Sequence, residues 1–355
     1  LSVLLITFPF FALVLCGYLA ARGGVLPQPA IPGLNAFVLF FALPCLLYRF
    51  GAQTPIAQLL DPAVAGVYTL CAVLMVGGAV LATRGPRTNW NDAAFGALVA
   101  AFPNTGFMGV PLLVALLGAT AAGPAIVTIM IDMVLTTSLC IALSQLDGAG
   151  THGMAVALRR ALRGMLTNPM PWSIALGALA SALQFTLPGP VEKTIAMLAD
   201  AASPVALFTI GAVLARSQMN QHERVLVRDY VPLALAKLFV HPLLVWLAGR
   251  GAMALGVPLD PFAFTVLVLL AALPSASNVS LLAERYGADN GRVARIIMTS
   301  TVLAFVSFPL LAWLCIFYFG LSIVGYNLPP LVAATVGFSV YAGAFLGEIW
   351  RAALL

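Results

Sequence analysis

Residues 102–111 read FPNTGFMGVP, between AFGALVAA-type sequence on one side and LLVALLG on the other. The flanks are what a membrane-spanning helix uses, yet Pro103, Asn104, Thr105 and Gly106 stand at the middle. A proline inside a helix removes one hydrogen bond and obstructs a carbonyl, at a cost of about 3 kcal/mol or more. Irregular backbone at membrane depth survives only where protein buries it or where it lines a watery cavity. This stretch therefore predicts a span broken for a purpose.

The rest of the chain supports a membrane setting. Of 355 residues, 62% are hydrophobic and 8% charged, with mean hydropathy +1.03. A soluble domain carries about 25% charged residues, so this composition predicts an all-α polytopic membrane protein. Spans of roughly 20 apolar residues fall near 2–21, 31–50, 62–83, 93–117, 122–145, 168–187, 200–216, 229–254, 262–284 and 292–319. The apolar runs lack the alternation a membrane barrel needs, and the first reads as a span rather than a signal peptide. The 17 basic residues and net charge of +5 are scattered over short loops, which argues against a nucleic-acid partner and for the lipid bilayer. Cys16, Cys45, Cys71, Cys140 and Cys315 lie in apolar runs and read as packing residues, with no metal site or cofactor expected.

Lysine and arginine set the orientation. With the amino terminus outside, Arg22, Arg84, Arg87, Arg159, Arg160, Arg163, Arg216, Arg224, Arg228, Arg285, Arg292 and Arg295 fall in cytoplasmic loops, and only Arg49, Lys193 and Arg250 on the other side.

The chain also answers itself. LPQPAIPGLNAFVLFFALPCLLYRF at 26–50 parallels LPGPVEKTIAMLADAASPVALFTIG at 187–211, each with a span interrupted by proline, Pro44 and Pro204. AAFPNTGFMGVPLL at 100–113 parallels AALPSASNVSLLAE at 271–284. Five spans followed by five more make the second half enter from the opposite side, so the pattern predicts an inverted repeat. The parts are 1–145, a cytoplasmic loop 146–167, a second repeat 168–319 and a tail 320–355. In such folds the substrate site forms near the midplane, where broken helices of the two halves meet. After Pro103 and Pro274 a new half-helix begins with unpaired N–H groups. Asn104 and Thr105, with Ser275, Ser277 and Asn278, add neutral polar groups suited to a carboxylate.

FPNTGFMGVPLLVALLG, AKLFVHPLLVWL and ALPSASNVSLLAERYG resemble the auxin efflux carrier family of bacterial and plant transporters, in order over residues 1 to about 318. The resemblance implies two inverted five-helix repeats, in outline shared with sodium/proton antiporters and bile-acid symporters, with the fourth and ninth spans crossed. It implies a secondary carrier for small organic carboxylates such as malate, malonate or auxin-like acids, with the family's binding residues carried onto Asn104 and Asn278. Without the long hydrophilic insertion of many plant members, the chain looks like the compact form of a bacterial inner membrane. The resemblance leaves room for a homodimer and for coupling to protons or sodium.

Charges inside spans default to functional hypotheses. Asp132 lies in the fifth span, and Lys237 lies four residues before His241 on one face of the eighth. Each reads equally as a coupling group or as an anchor for the broken helices, with His241 structural. The tail from about 328 resembles a fragment of an amino-acid ABC transporter permease in TVGFSVYAGAFLGEIWRAAL, with Glu348 and Arg351 one turn apart on a candidate eleventh helix. A permease subunit is thus an alternative reading, as is a membrane sensor that binds an acid without moving it. An enzyme is disfavoured: there is no GxSG or HExxH sequence, and the histidines are His152, His222 and His241.

Overall fold

A computed structural model describes residues 2–53, 61–85, 88–146, 169–219 and 226–323. Among them the regular structure is helical: α1 Ser2–Arg22, α2 Gln28–Gln53, α3 Pro62–Thr83, α4 Trp90–Ala101, α5 Thr105–Leu117, α6 Ala119–Ser144, α7 Pro169–Ala182, α8 Gly189–Met219, α9 Val227–Ala254, α10 Pro261–Ala271, α11 Asn278–Arg285 and α12 Asn290–Ile323. Six described helices are long and apolar enough to cross a membrane, and shorter apolar helices stand between them. The chain is a multi-pass membrane protein.

Local chemistry sets several helix starts. The Asp61 carboxylate accepts from the N–H groups of Ala63 and Val64, and Pro62 occupies the first turn, where its missing N–H costs nothing. Asp260 accepts from Ala263 N–H and Pro261 fills the first turn of α10, and Asn89 accepts from Asp92 N–H for α4. Between α3 and α4, the Arg84 guanidinium stands 4.0 Å over the Trp90 ring.

Packing sorts the helices into two groups. α1 lies along α8, α2 lies along α7 and α8, and α3, α4, α6, α9, α10 and α12 pack on one another. α4 and α10 are apolar on every side and buried from Ala93 to Ala101 and from Ala263 to Ala271, as befits the innermost helices of a bundle. Two of the contacts are close enough that only glycine fits. A Cβ on Gly17 would lie 1.8 Å from the Phe208 carbonyl oxygen, and one on Gly211 1.8 Å from that of Val14. Likewise a Cβ on Gly51 would lie 2.7 Å from the Ile174 oxygen and one on Gly177 2.3 Å from the Tyr48 oxygen.

Several sequence expectations need correction. Pro204 does not interrupt its span, because α8 runs through it from Gly189 to Met219. α8 also begins well before residue 200: Glu192 lies in its first turn, and Asp200 pairs with Arg49 of α2 at 2.6 Å. Apolarity marks the part of a helix that meets lipid, not where the helix starts. α7 stops at Ala182 rather than 187, where Gln184 takes a left-handed conformation (φ 50°) and Phe185 N–H returns to the Ala180 carbonyl. Pro44 does not end α2 either; it follows a π-helical turn at Val38–Ala42.

That π turn has counterparts at Thr105–Gly109 in α5, Asp132–Thr136 in α6 and Ala236–Val240 in α9. The N–H groups of Leu43, Val110 and His241 each reach back five residues, to Val38, Thr105 and Ala236. The next residue in all three is a proline: Pro44, Pro111 and Pro242. The register thus returns from the wide turn to the ordinary one at the residue that has no N–H to place. Such turns concentrate at functional sites.

Arg87, the loop with Arg159, Arg160 and Arg163, His152, His222, Arg224 and the tail with Glu348 and Arg351 lie outside the described residues.

Candidate functional site where two broken spans cross

The breaks after α4 and after α10 meet. Asn104 N–H donates to the Pro274 carbonyl at 2.8 Å, and Ala276 N–H donates to the Phe102 carbonyl at 2.9 Å. These bonds flank an antiparallel bridge between Pro103 and Ser275. Both prolines occupy positions where the bridge asks for no donor, so they interrupt the helices without leaving it short of a bond. Ser275 N–H, pointing away from the bridge, donates to Ser300 Oγ of α12 at 3.2 Å. Beyond the bridge, the Asn104 carbonyl accepts from Met108 and Gly109 N–H and starts α5. Gly109 packs against the end of α10 and the residues after it: a Cβ there would lie 3.0 Å from Leu270 Cδ2 and 2.6 Å from Leu273 Cδ1.

The predicted binding residues divide at this crossing. Asn104, Thr105 and Ser275 come together at the bridge and are buried, at 4%, 0% and 1% exposure. Among the described residues, Asn104 Oδ1, Thr105 Oγ1 and Ser275 Oγ are buried without a hydrogen-bond partner. Leaving such an atom unpaired costs about 1–3 kcal/mol, and here three gather at one crossing. Asn278 is buried at the start of α11, whereas Ser277 is half-buried and its carbonyl accepts from Ser280 N–H.

Asp132, Lys237 and His241 form a second cluster, fully buried. Tyr68 OH donates to Asp132 Oδ2 at 2.7 Å and Thr136 Oγ1 donates to Oδ1 at 3.0 Å. Both carboxylate oxygens thus accept from neutral hydroxyls, and the ion pairs among the described residues, Arg49–Asp200 and Arg228–Asp229, do not include Asp132 or Lys237. Lys237 Nζ lies 3.1 Å from His241 Nδ1 and donates to the Ala271 carbonyl at 2.5 Å. Ala271 ends α10, so the Lys237 amine sits at the electronegative end of that half-helix. The rings of Tyr68 and His241, 6.2 Å apart, join the two parts of the cluster.

Two participants escape the sequence reading. Tyr68 carries no mark in an apolar span; only its hydroxyl amid hydrocarbon hints at a buried partner. Arg292, counted above only for topology, is 6% exposed. It donates from Nε to the Asp229 carbonyl at 2.8 Å and from Nη1 to the Asp92 carbonyl at 3.3 Å, while Asp289 N–H donates to Asp92 Oδ1. This network ties the starts of α4, α9 and α12 at one end of the bundle.

The chain matches the family described as membrane transport protein over residues 3–312. It is 31% identical over 301 residues to a Rhizobium meliloti (strain 1021) protein named "Putative malonate transporter", covering 83% of this chain and 90% of that one. It is 25% identical over 304 residues to an uncharacterized transporter of Escherichia coli (strain K12), covering 84% and 92%. With auxin efflux carrier component 8 of Arabidopsis thaliana it shares 21% identity over 335 residues, covering 79% and 88%.

Proposed function

The chain belongs to the membrane transport protein family, and on that premise we propose that it is a secondary carrier moving a small organic carboxylate by alternating access, with the substrate held between the two broken spans. The observation that carries this reading is the pair of buried hydroxyls of Thr105 and Ser275, which have no hydrogen-bond partner among the described residues, with the Asn104 side-chain amide beside them at the crossing. A carboxylate would accept from the two hydroxyls and from the Asn104 amide, with Asn278 completing the contact from α11. A dicarboxylate resembling malonate or malate is the substrate class, in keeping with the name of the 31% identical relative.

The architecture proposed for this carrier is ten spans in two inverted repeats, 1–145 and 168–319, with the amino terminus outside a bacterial inner membrane. α4 with α5 forms the fourth span and α10 with α11 the ninth. The glycine contacts support the repeat. Gly17 and Gly177 are 160 residues apart, as are Gly51 and Gly211, and the repeat would exchange the α1–α8 contact with the α2–α7 contact.

The test is flux into proteoliposomes with a panel of mono- and dicarboxylates, beside thermal unfolding with the same panel. A substrate at a hundred times its dissociation constant should stabilise the protein by about 2.7 kcal/mol. An acid that stabilises the protein and is not transported would make it a sensor instead.

Asp132 is the coupling group in this proposal, since the Lys237 side chain is committed to a main-chain carbonyl. Asp132→Asn keeps the shape and the Tyr68 contact but removes the charge, so flux should lose its dependence on the proton or sodium gradient. Full pH and sodium dependence in that variant would return Asp132 to the role of anchor.

A further inference from the structure

An apolar groove of about 510 Å³ runs between α1, α8 and α12, away from the crossing. Leu15 of α1 and Val302 and Phe305 of α12 form its walls, and all three are exposed. One end is closed by a polar chain. Arg22 Nη1 donates to Tyr18 OH at 2.7 Å, Tyr18 OH donates to Gln218 Oε1 at 2.5 Å, and Gln218 Nε2 reaches Met298 Sδ at 3.0 Å.

Arg22 is the last residue of a 21-residue helix, the depth at which a bilayer's head groups lie. Its side chain is exposed, and the ion pairs among the described residues, Arg49–Asp200 and Arg228–Asp229, leave its charge unmatched. One N–H goes to Tyr18, while a guanidinium has five to offer. Hydrocarbon walls with a cation, a phenol and an amide at one end complement a molecule with a long chain and an anionic head. We propose that the groove binds one acyl chain of an anionic phospholipid, with the phosphate against Arg22.

The position gives such a lipid consequence. Thr301 and Val302 line the groove, and the adjacent Ser300 holds the Ser275 N–H of the crossing. The bound chain would therefore touch the α1–α8 pair on one side and, on the other, the helix that supports the bridge.

Lipid retention reads this out independently of transport. The full chain, delipidated in detergent and offered equal amounts of dioleoylphosphatidylglycerol and dioleoylphosphatidylcholine, is examined by native mass spectrometry. Wild type should retain the anionic lipid about fivefold over the zwitterionic one, the preference one interfacial arginine supplies. Arg22→Gln should bring the two to parity, and Val302→Trp, which fills the groove from its lipid-facing side, should lower retention of both. Glycerol 3-phosphate, the head group without chains, should displace neither. Equal retention by wild type, an unchanged ratio in Arg22→Gln, displacement by glycerol 3-phosphate or preferential capture of a sterol would each overturn the proposal. Arg22 is exposed, so its variant decides the matter even if Val302→Trp fails to insert.

Discussion

Asn104→Ala and Asn278→Ala are each expected to cut carboxylate flux in proteoliposomes by an order of magnitude or more while leaving insertion and thermal unfolding close to wild type. A hydrogen bond to a charged group contributes about 1.5–3 kcal/mol, so each loss should slow transport by about 10- to 150-fold. The fold should survive at Asn104 because the residue's structural bonds are made by its main chain. Its N–H holds Pro274 and its carbonyl starts α5, while its side-chain oxygen has no hydrogen-bond partner among the described residues. Asn104→Asp separates shape from charge: it preserves the volume but sets a carboxylate against an anionic substrate, and flux should fail there too. Wild-type flux in both alanine variants would sink the crossing as the substrate site.

The second large effect concerns stability. Gly211→Val should leave little folded protein in the membrane, as followed by size-exclusion chromatography of a fluorescent fusion. Overpacking a well-filled contact costs about 1–3 kcal/mol. At Gly211 the added carbon would meet main-chain atoms, 1.8 Å from the Val14 oxygen and 2.6 Å from the Tyr18 nitrogen, so α1 and α8 must move apart. Gly77 of α3 is the matched control: nothing lies within 4 Å of its would-be Cβ, and Gly77→Ala should be neutral or stabilising by up to about 1 kcal/mol. Normal yields of Gly211→Val would show that this contact does not hold the two helices together.

Much of the crossing could be read from sequence because proline and asparagine are conspicuous in hydrocarbon. Pro103 and Pro274 stand where the helices stop, and Asn104 and Asn278 are buried beside them. Pro204 shows the limit of that reasoning. A proline removes one bond, and a long helix packed along its length can absorb the loss, so its presence does not say whether the chain turns aside. The π turns were hidden for a related reason: apolarity reports which residues avoid water, not which carbonyl an N–H reaches. A sharper signal does exist, in the proline that follows the wide turn at Pro44, Pro111 and Pro242. The Lys237 contact was out of reach altogether. Its partner is the main chain of Ala271, and no side-chain pattern marks a carbonyl freed by a helix end.

The bridge at Pro103 and Ser275 has a bearing on how such a chain can change over generations. It is held by main-chain atoms, the N–H groups of Asn104 and Ala276 and the carbonyls of Pro274 and Phe102. Any residue but proline can supply those N–H groups. Substitutions that alter the side chains at the proposed site are therefore spared the requirement of preserving the junction beneath it, and under that proposal a new substrate preference can arise by drift there while the two segments of the crossing stay joined.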